Sequence, residues 1–286
     1  MRAILQLVRA PAVFTAISNI LAAHLIAGGG RLYWRELILL CGASVLIYSA
    51  GMVLNDCFDF TEDARERPSR PLPSGRVRLG VAWASAWILL TAGFALAGIA
   101  GRRSLIIAGL LILAVVLYDG FLKAGPAGSL VMGACRYLNW LLGFSFLPLS
   151  TRDLLVPIPV LIYIAALTLL ASEETRAHSR TALRVCIAGM ILAACSVVVL
   201  LATGALSNLW ASIPLVLGLV WVLRELSLAG RDFRSVRVQS TITFLLLGII
   251  PLDALLVFAG GPWWGALVVL TLLLPSRIAA RAIYVT

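Results

Sequence analysis

The sequence predicts an all-α fold: a polytopic membrane bundle of nine to ten transmembrane helices. Hydrophobic residues make up 61% of the 286 residues and charged residues only 13%, whereas soluble domains carry about 25% charged residues. Apolar stretches of about 20 residues, the length that crosses a bilayer as a helix, recur along the whole chain. Basic residues are also divided unequally between alternate loops. These three observations favour a single membrane domain over residues 1–286.

The predicted spans follow one another through short loops, and the last one is short because Pro262 and Pro275 bound it. The approximate segments are residues 11–29, 37–56, 79–100, 104–121, 127–148, 155–171, 182–203, 208–223, 240–259 and 263–276.

The loops predict the orientation of the bundle. With the N terminus in the cytoplasm, 17 Lys and Arg residues fall on the cytoplasmic side and five on the other, while Arg136 lies within a span. This split follows the positive-inside rule. We therefore expect a multi-pass protein of a bacterial inner membrane, with its N terminus and polar loops in the cytoplasm. Because the charge of +10 is spread over short loops, the expected partner is the lipid bilayer and not nucleic acid.

The loop after the second span carries the most informative motif. Asn55, Asp59 and Asp63 are spaced at i, i+4 and i+8, so a helix would place them on one face. Such a row of oxygen ligands suits Mg²⁺, which binds through one or two carboxylates plus substrate phosphates. Two prolines in the segment 70–75 then prevent a helix. The resulting turn would hold Arg70, a natural partner of diphosphate oxygens, near the carboxylates.

Residues 55–75 resemble the first signature of the UbiA superfamily of intramembrane prenyltransferases, N-x-x-x-D-x-x-x-D followed by R-P-L-x-x-G. The matching residues are Asn55, Asp59, Asp63, Arg70, Pro71, Leu72 and Gly75. The resemblance implies an all-helical UbiA-like enzyme that moves an isoprenoid chain from a prenyl diphosphate to an acceptor, usually aromatic, with Mg²⁺ as cofactor. It implies that Asn55, Asp59 and Asp63 hold the metal and that Arg70 binds diphosphate.

Two further features are interpreted through the same resemblance. The family has a Tyr and a Lys near the end of the fourth span, matched here by Tyr118 and Lys123, with a spacing of five where four is usual. Lys123 is the only lysine beside 22 arginines, which favours a place for a compact ammonium on diphosphate, or simply an orientation charge. It could also pair with Asp119 at i, i+4. The second Asp-rich signature is absent, and Glu174 with His178 is its nearest substitute.

Charged residues within the predicted spans complete the set of candidates. Arg136, with Asn139 one turn further, should face the bundle interior because a charge at that depth is costly. They could line the cavity and contact diphosphate or acceptor, or Arg136 could form a structural pair with Asp253. The segment Gly125-Pro126…Asn139 also resembles a UbiA branch that includes proteins of the bacterial Ebo gene cluster.

The leading hypothesis is therefore a Mg²⁺-dependent prenyltransferase with Asp59, Asp63 and Lys123 as catalytic residues. Its partners would be a prenyl diphosphate and an acceptor that the sequence does not identify. A membrane terpene cyclase on the same scaffold is a second reading. The degraded second signature motivates a third, a noncatalytic family member that binds or moves a lipid.

Overall fold

The computed structural model describes residues 2–123, 125–174, 180–231 and 235–284, and within these ranges the chain is helical without strands. The helices are α1 (Arg2–Leu7), α2 (Ala10–Ala27), α3 (Trp34–Phe58), α4 (Phe60–Glu66), α5 (Leu79–Ala100), α6 (Arg102–Gly120), α7 (Gly125–Phe144), α8 (Thr151–Leu155), α9 (Ile158–Glu174), α10 (Arg180–Ala202), α11 (Ser212–Arg231), α12 (Ser235–Leu247), α13 (Ile249–Gly260), α14 (Trp263–Thr271) and α15 (Leu273–Tyr284), with a 3₁₀ turn at Leu209–Ala211.

Eight helical stretches within the described residues are long and apolar enough to cross a membrane, so the predicted polytopic bundle is confirmed. They are Trp34–Phe58, Leu79–Ala100, Arg102–Gly120, Thr151–Ser172, Arg180–Ala202, Leu209–Arg231, Arg237–Gly260 and Trp263–Ala280. The shorter apolar helix Pro11–Ala27 and helix α7, which carries Arg136 and Asn139, match the other two predicted segments. The protein is thus an integral, multi-pass membrane protein.

One of the spans is interrupted near its middle. Pro251 lacks the backbone N–H that would continue the helix, and α12 ends at Leu247 before α13 begins at Ile249. Gly248 lies at the junction because Tyr163 approaches it closely: a Cβ there would lie 2.6 Å from the Tyr163 hydroxyl oxygen. That hydroxyl donates to the carbonyl of Leu245 at 2.7 Å. Asp253 follows two residues after Pro251 on α13 and is fully buried in the core.

Helices α2, α3 and α7 form the centre of the bundle, where they pack on one another, and α13 packs on α2. Small residues allow these close contacts, as is usual where helices associate in lipid. A Cβ at Gly143 of α7 would lie 2.9 Å from the Ile20 carbonyl oxygen of α2, and one at Gly93 of α5 would lie 3.0 Å from the Ala43 carbonyl oxygen of α3. Helix α3 is therefore closely packed in the centre of the bundle, and it ends at the predicted oxygen row.

Candidate active site

The oxygen row lies on one helical face, as its spacing predicts. Helix α3 ends at Phe58 and α4 begins at Phe60, but the helical hydrogen bonds continue across the junction. The Asp59 N–H donates to the Asn55 carbonyl at 3.0 Å, and the Asp63 N–H donates to the Asp59 carbonyl at 2.8 Å. Asn55 and Asp63 are buried and Asp59 is half-buried. The row is therefore a preorganised strip of side-chain oxygens where the span reaches the membrane surface.

Two cationic side chains face this row, one for each aspartate. Lys123 Nζ donates to Asp59 Oδ2, and Arg70 donates to Asp63 Oδ2. Arg70 also lies 3.5 Å from Asp56 Oδ1. The structure thus brings together Asp59, Asp63, Arg70 and Lys123. An anion that bound between Arg70 and Lys123 would have a positive charge on each side.

The expected pair of Asp119 with Lys123 is wrong. Helix α6 ends at Gly120 and Phe121 leaves the helical conformation, so Lys123 is not one helical turn beyond Asp119. Lys123 instead reaches across to Asp59. Asp119 Oδ1 accepts a hydrogen bond of 3.1 Å from Asn55 Nδ2. This bond orients the first residue of the row, a role that the sequence did not indicate.

The turn after α4 places Arg70 where the two prolines predict. The Ser74 N–H donates to the Arg70 carbonyl and the Gly75 N–H to the Leu72 carbonyl, both at 3.0 Å. Gly75 has φ +74°, a left-handed conformation that favours glycine. Leu72 is buried in the core, which anchors the turn. These contacts hold the backbone of Arg70 beside the carboxylates.

Two further candidates are Tyr118 and Glu174, and the structure describes the side chain of Tyr118 only. Tyr118 is buried at the end of α6, beside Asp119. Glu174 is the last residue of α9, but its side chain, like the whole of His178, lies outside the described residues. The substitute for the second signature therefore stays a prediction.

The donor set fits Mg²⁺. Asn55, Asp59 and Asp63 offer amide and carboxylate oxygens, the hard ligands that this ion prefers. Among the described residues no group of three His, Cys, Asp or Glu side chains lies close enough to hold a metal alone. Mg²⁺ is usually bound through one or two carboxylates, and waters and substrate phosphates complete its shell.

Arg136 and Asn139 belong to a second buried group, which we term the Asp253 cluster. It consists of Thr15, Ser18, Asn19, Ser44, Arg136, Asn139, Trp140 and Asp253. The Asp253 carboxyl group accepts hydrogen bonds from Ser18 Oγ, from Asn19 Nδ2 at 2.8 and 3.0 Å and from Trp140 Nε1 at 3.1 Å. Asp253 is fully buried, and these donors lie on α2 and α7.

The predicted direct pair of Arg136 with Asp253 does not form in the described part of the chain, because Asn19 lies between them. Arg136 donates to Asn19 Oδ1 at 3.4 Å and to Thr15 Oγ1 at 2.9 Å, and it lies over the Tyr48 ring at 5.1 Å. Asn139 donates to Asn19 Oδ1 at 3.2 Å and to the Ala16 carbonyl at 3.0 Å. The cluster ties α2, α7 and α13 together.

Comparison with known proteins agrees with this arrangement. Residues 16–235 match the family model described as the UbiA prenyltransferase family. The chain is 30% identical over 139 residues to the digeranylgeranylglyceryl phosphate synthase of Sulfurisphaera tokodaii, which is 48% of this chain and 50% of that relative. The chain spans about half the length of the curated relatives it matches.

Solved structures share the fold over most of the chain. A structure reported for digeranylgeranylglyceryl phosphate synthase superposes with a TM-score of 0.70 at 20% identity, over 90% of this chain and 97% of that one. A UbiA homolog from Archaeoglobus fulgidus bound to DMAPP and Mg²⁺ gives 0.62 at 11% identity, over 88% and 99%. At these identities the likeness establishes the fold.

Proposed function

Because the chain belongs to the UbiA prenyltransferase family, we propose that it transfers an isoprenoid chain from a prenyl diphosphate to a hydroxyl group of a phosphate-bearing lipid precursor. The observation that carries the proposal is the pairing at the end of α3. Lys123 and Arg70 each contact one aspartate of the row. A diphosphate needs both a metal-binding carboxylate face and nearby cations, and these four side chains supply both.

The leaving group governs the chemistry at this site. When the allylic C–O bond breaks, its electron pair stays on the diphosphate, and Lys123 and Arg70 stabilise the charge that develops there. Mg²⁺, held by Asn55, Asp59 and Asp63, would act as a Lewis acid on the phosphate oxygens. The allylic carbon then bonds to the acceptor oxygen, whose proton passes to the released diphosphate or to water. Surrounding apolar helices accommodate the isoprenoid chain and exclude water from the cation.

The acceptor class is supported by the relatives and by the charge of the site. Several curated relatives are digeranylgeranylglyceryl phosphate synthases, whose name describes a prenylated glyceryl phosphate. After Asp63, the loop that follows α3 contains more Arg residues than acidic residues. Guanidinium groups suit an acceptor that carries a phosphate. The resemblance implied an aromatic acceptor or another small lipid precursor, and of these two we propose the lipid precursor, a glycerophosphate-type alcohol.

The orientation of the site follows from the charge distribution. The row, Arg70 and Lys123 all lie at the ends of spans that the positive-inside rule assigns to the cytoplasm. We propose that the reaction takes place at the cytoplasmic surface, where water-soluble diphosphate can leave. An accessibility assay with a membrane-impermeant thiol reagent on a single cysteine at position 62, in a chain with its native cysteines replaced, would test this.

The full chain in lipid nanodiscs provides the test of function. With Mg²⁺, geranylgeranyl diphosphate and geranylgeranylglyceryl phosphate, we expect diphosphate release together with a doubly prenylated product of matching mass. A hydrocarbon formed without acceptor would establish the cyclase reading instead. If no prenyl diphosphate releases diphosphate above background, the noncatalytic reading replaces the proposal. Mass spectrometry of lipids that copurify with the protein would identify other donors or acceptors to try.

A further inference from the structure

A buried histidine lies at the end of the bundle opposite to the oxygen row. His24 belongs to the last turn of α2 and is fully buried. Helix α3 begins beside it, at Trp34, and the 25 residues of α3 extend about 37 Å towards the row. The chemistry proposed for the row does not use His24, so the burial of a titratable group at this end needs another explanation.

The hydrogen bond of the His24 side chain defines its protonation state. Its Nε2 atom accepts a bond of 3.1 Å from the backbone N–H of Tyr33. A ring nitrogen that accepts a hydrogen bond carries no proton, so the imidazole is neutral and its proton is on Nδ1. Nδ1 is buried without a hydrogen-bond partner among the described residues. A second proton, on Nε2, would remove the bond to Tyr33.

Two aromatic rings enclose the imidazole. Phe146, in the segment after α7, stacks on it with the ring centroids 4.0 Å apart and an angle of 22° between the planes. The Tyr33 ring lies 6.1 Å from that of His24 and 5.2 Å from that of Phe146. An aromatic face tolerates a cation, but both N–H groups of a buried imidazolium would lack acceptors here, which is costly. The closed arrangement therefore requires neutral His24.

The loop between α2 and α3 brings Tyr33 back to His24 through residues 28–30, which are all glycine. The second and third glycines have φ of +56° and +90°, the left-handed region that favours this residue. A Cβ on the first glycine would lie 2.3 Å from the Arg31 carbonyl oxygen. The loop is therefore a tight turn, and the bond between His24 and Tyr33 fastens its far end to α2.

The charges around His24 offer one partner for an imidazolium. The charged residues of the loop and of the neighbouring helices include Arg31, Arg35, Glu36, Arg136, Arg152 and Asp253. The last three are engaged in hydrogen bonds with other residues. Glu36, in the first turn of α3, is near enough to attract a charged imidazole, and its side chain is 26% exposed. An imidazolium that left the core could therefore pair with Glu36.

We propose that His24 is an acid-sensitive latch that holds the α2–α3 loop closed over the end of the bundle opposite to the active site. Neutral His24 accepts the Tyr33 N–H and keeps the loop in place. When a proton binds to Nε2, two N–H groups face each other, so the loop opens and the imidazolium moves towards Glu36. Because closure needs the neutral ring, the loop is closed at neutral pH. Closure weakens as the pH falls below about 6.5, the ordinary pKa of a histidine in water.

Hydrogen exchange measures the latch in the full chain in nanodiscs. The amides of residues 30–33 are followed by mass spectrometry, and their rates are divided into those of an unstructured peptide at the same pH to give protection factors. We expect protection of the loop to fall about tenfold for each pH unit between about 6.5 and 5. The amides of Ser207 and Asn208 donate to the Ala259 carbonyl at the same end of the bundle and should keep their protection. Constant protection of the loop, or an equal loss in both segments, would overturn the proposal.

Two substitutions separate the titrating group from the shape of the ring. His24→Gln places an amide oxygen near the position of Nε2 but binds no proton in this pH range, so the loop should stay protected down to pH about 5. His24→Phe keeps the aromatic stack without an acceptor, so protection should be at least about tenfold lower at neutral pH. Glu36→Gln removes the neighbouring acid and should leave the acid dependence in place. Acid sensitivity that persists in His24→Gln would assign the effect to another group and refute the latch.

The melting temperature keeps the proposal testable if His24→Phe does not fold. Between pH 7.5 and 5.5, the melting temperature of the unchanged protein should fall by about 3–5 °C more than that of His24→Gln. Equal falls in the two proteins would contradict the latch. Neither measurement depends on prenyl transfer, so failure of the latch and failure of the proposed function are distinguishable.

Discussion

Two buried polar clusters in this protein look alike in composition but differ in how their hydrogen bonds are completed. In the oxygen row, Asp59 and Asp63 each pair with one long cationic side chain. In the Asp253 cluster, one carboxyl group accepts from three neutral donors, Ser18, Asn19 and Trp140, on two other helices. The first arrangement leaves carboxylate oxygens for a new partner, and the second leaves none.

From this difference we infer that the oxygen row is a functional site and that the Asp253 cluster is a structural contact between helices. The pairs of the row are held by flexible side chains, so a metal and a diphosphate can replace the carboxylate–cation contacts with equivalent ones. The donors of the Asp253 cluster are fixed by helix packing, and removing their acceptor would leave them unpaired in the membrane. We therefore expect the row to govern activity and the Asp253 cluster to govern stability.

The largest effect is expected at the row. Asp59→Ala should lower prenyl transfer by about 10³-fold, because it removes a metal oxygen and the partner of Lys123. Its melting temperature should stay close to that of the unchanged protein. Product mass spectrometry and tryptophan fluorescence measure the two quantities. Glu62→Gln, an exposed carboxylate of the same helix, is the matched control and should keep full activity. Full activity of Asp59→Ala with Mg²⁺ would remove the row from the mechanism.

The Asp253 cluster should show the opposite profile. Asp253→Ala leaves Ser18, Asn19 and Trp140 without their acceptor, and interhelical hydrogen bonds in membranes contribute about 0.6 kcal/mol each and up to about 1.7. We expect a loss of about 2–4 kcal/mol, or about 5–10 °C in the melting temperature. Activity per folded molecule should change by less than about threefold. A stable but inactive Asp253→Ala protein would place this cluster in the catalytic site.

The same contrast explains how much could be predicted from the sequence. The spans were predictable because length and hydropathy alone decide whether a helix can cross a bilayer. The row was predictable because its period is that of a helix, and Arg70 because Pro71 and Pro73 leave the turn few conformations. In each case a local rule within about 20 residues determines the geometry.

Contacts between distant helices were not predictable in this way. Lys123 pairs with Asp59 and not with Asp119 because α6 ends three residues earlier, at Gly120, and the chain changes direction there. Asn19 separates Arg136 from Asp253 because α2 packs between α7 and α13. The sequence of an apolar span does not indicate which helix packs against each of its faces, so these partners are identified only in the folded bundle.

A smaller effect is expected at the residue that supports the row. Asp119→Leu removes the acceptor of the Asn55 Nδ2 bond and should lower transfer about 10–100-fold, the usual range for residues that orient metal ligands. The concentration of Mg²⁺ that gives half-maximal rate should rise with it. Asp119→Asn keeps an acceptor oxygen and should recover part of the loss. An unchanged Mg²⁺ requirement in both variants would show that Asp119 does not act through Asn55.

A still smaller difference, of about tenfold between two substitutions of one residue, should distinguish charge from shape at Lys123. Lys123→Arg keeps the positive charge beside Asp59, but the planar guanidinium is larger and donates in a fixed fork, so the compact contact of an ammonium is lost. We expect transfer to fall about tenfold, whereas Lys123→Met, which loses the charge, should fall about 10²-fold. Both rates are measured at saturating Mg²⁺. Arg180→Met, which removes a basic residue at the start of α10, serves as the control for charge. Equal losses in Lys123→Arg and Lys123→Met would mean that Lys123 acts through its packing and not through its charge on the diphosphate.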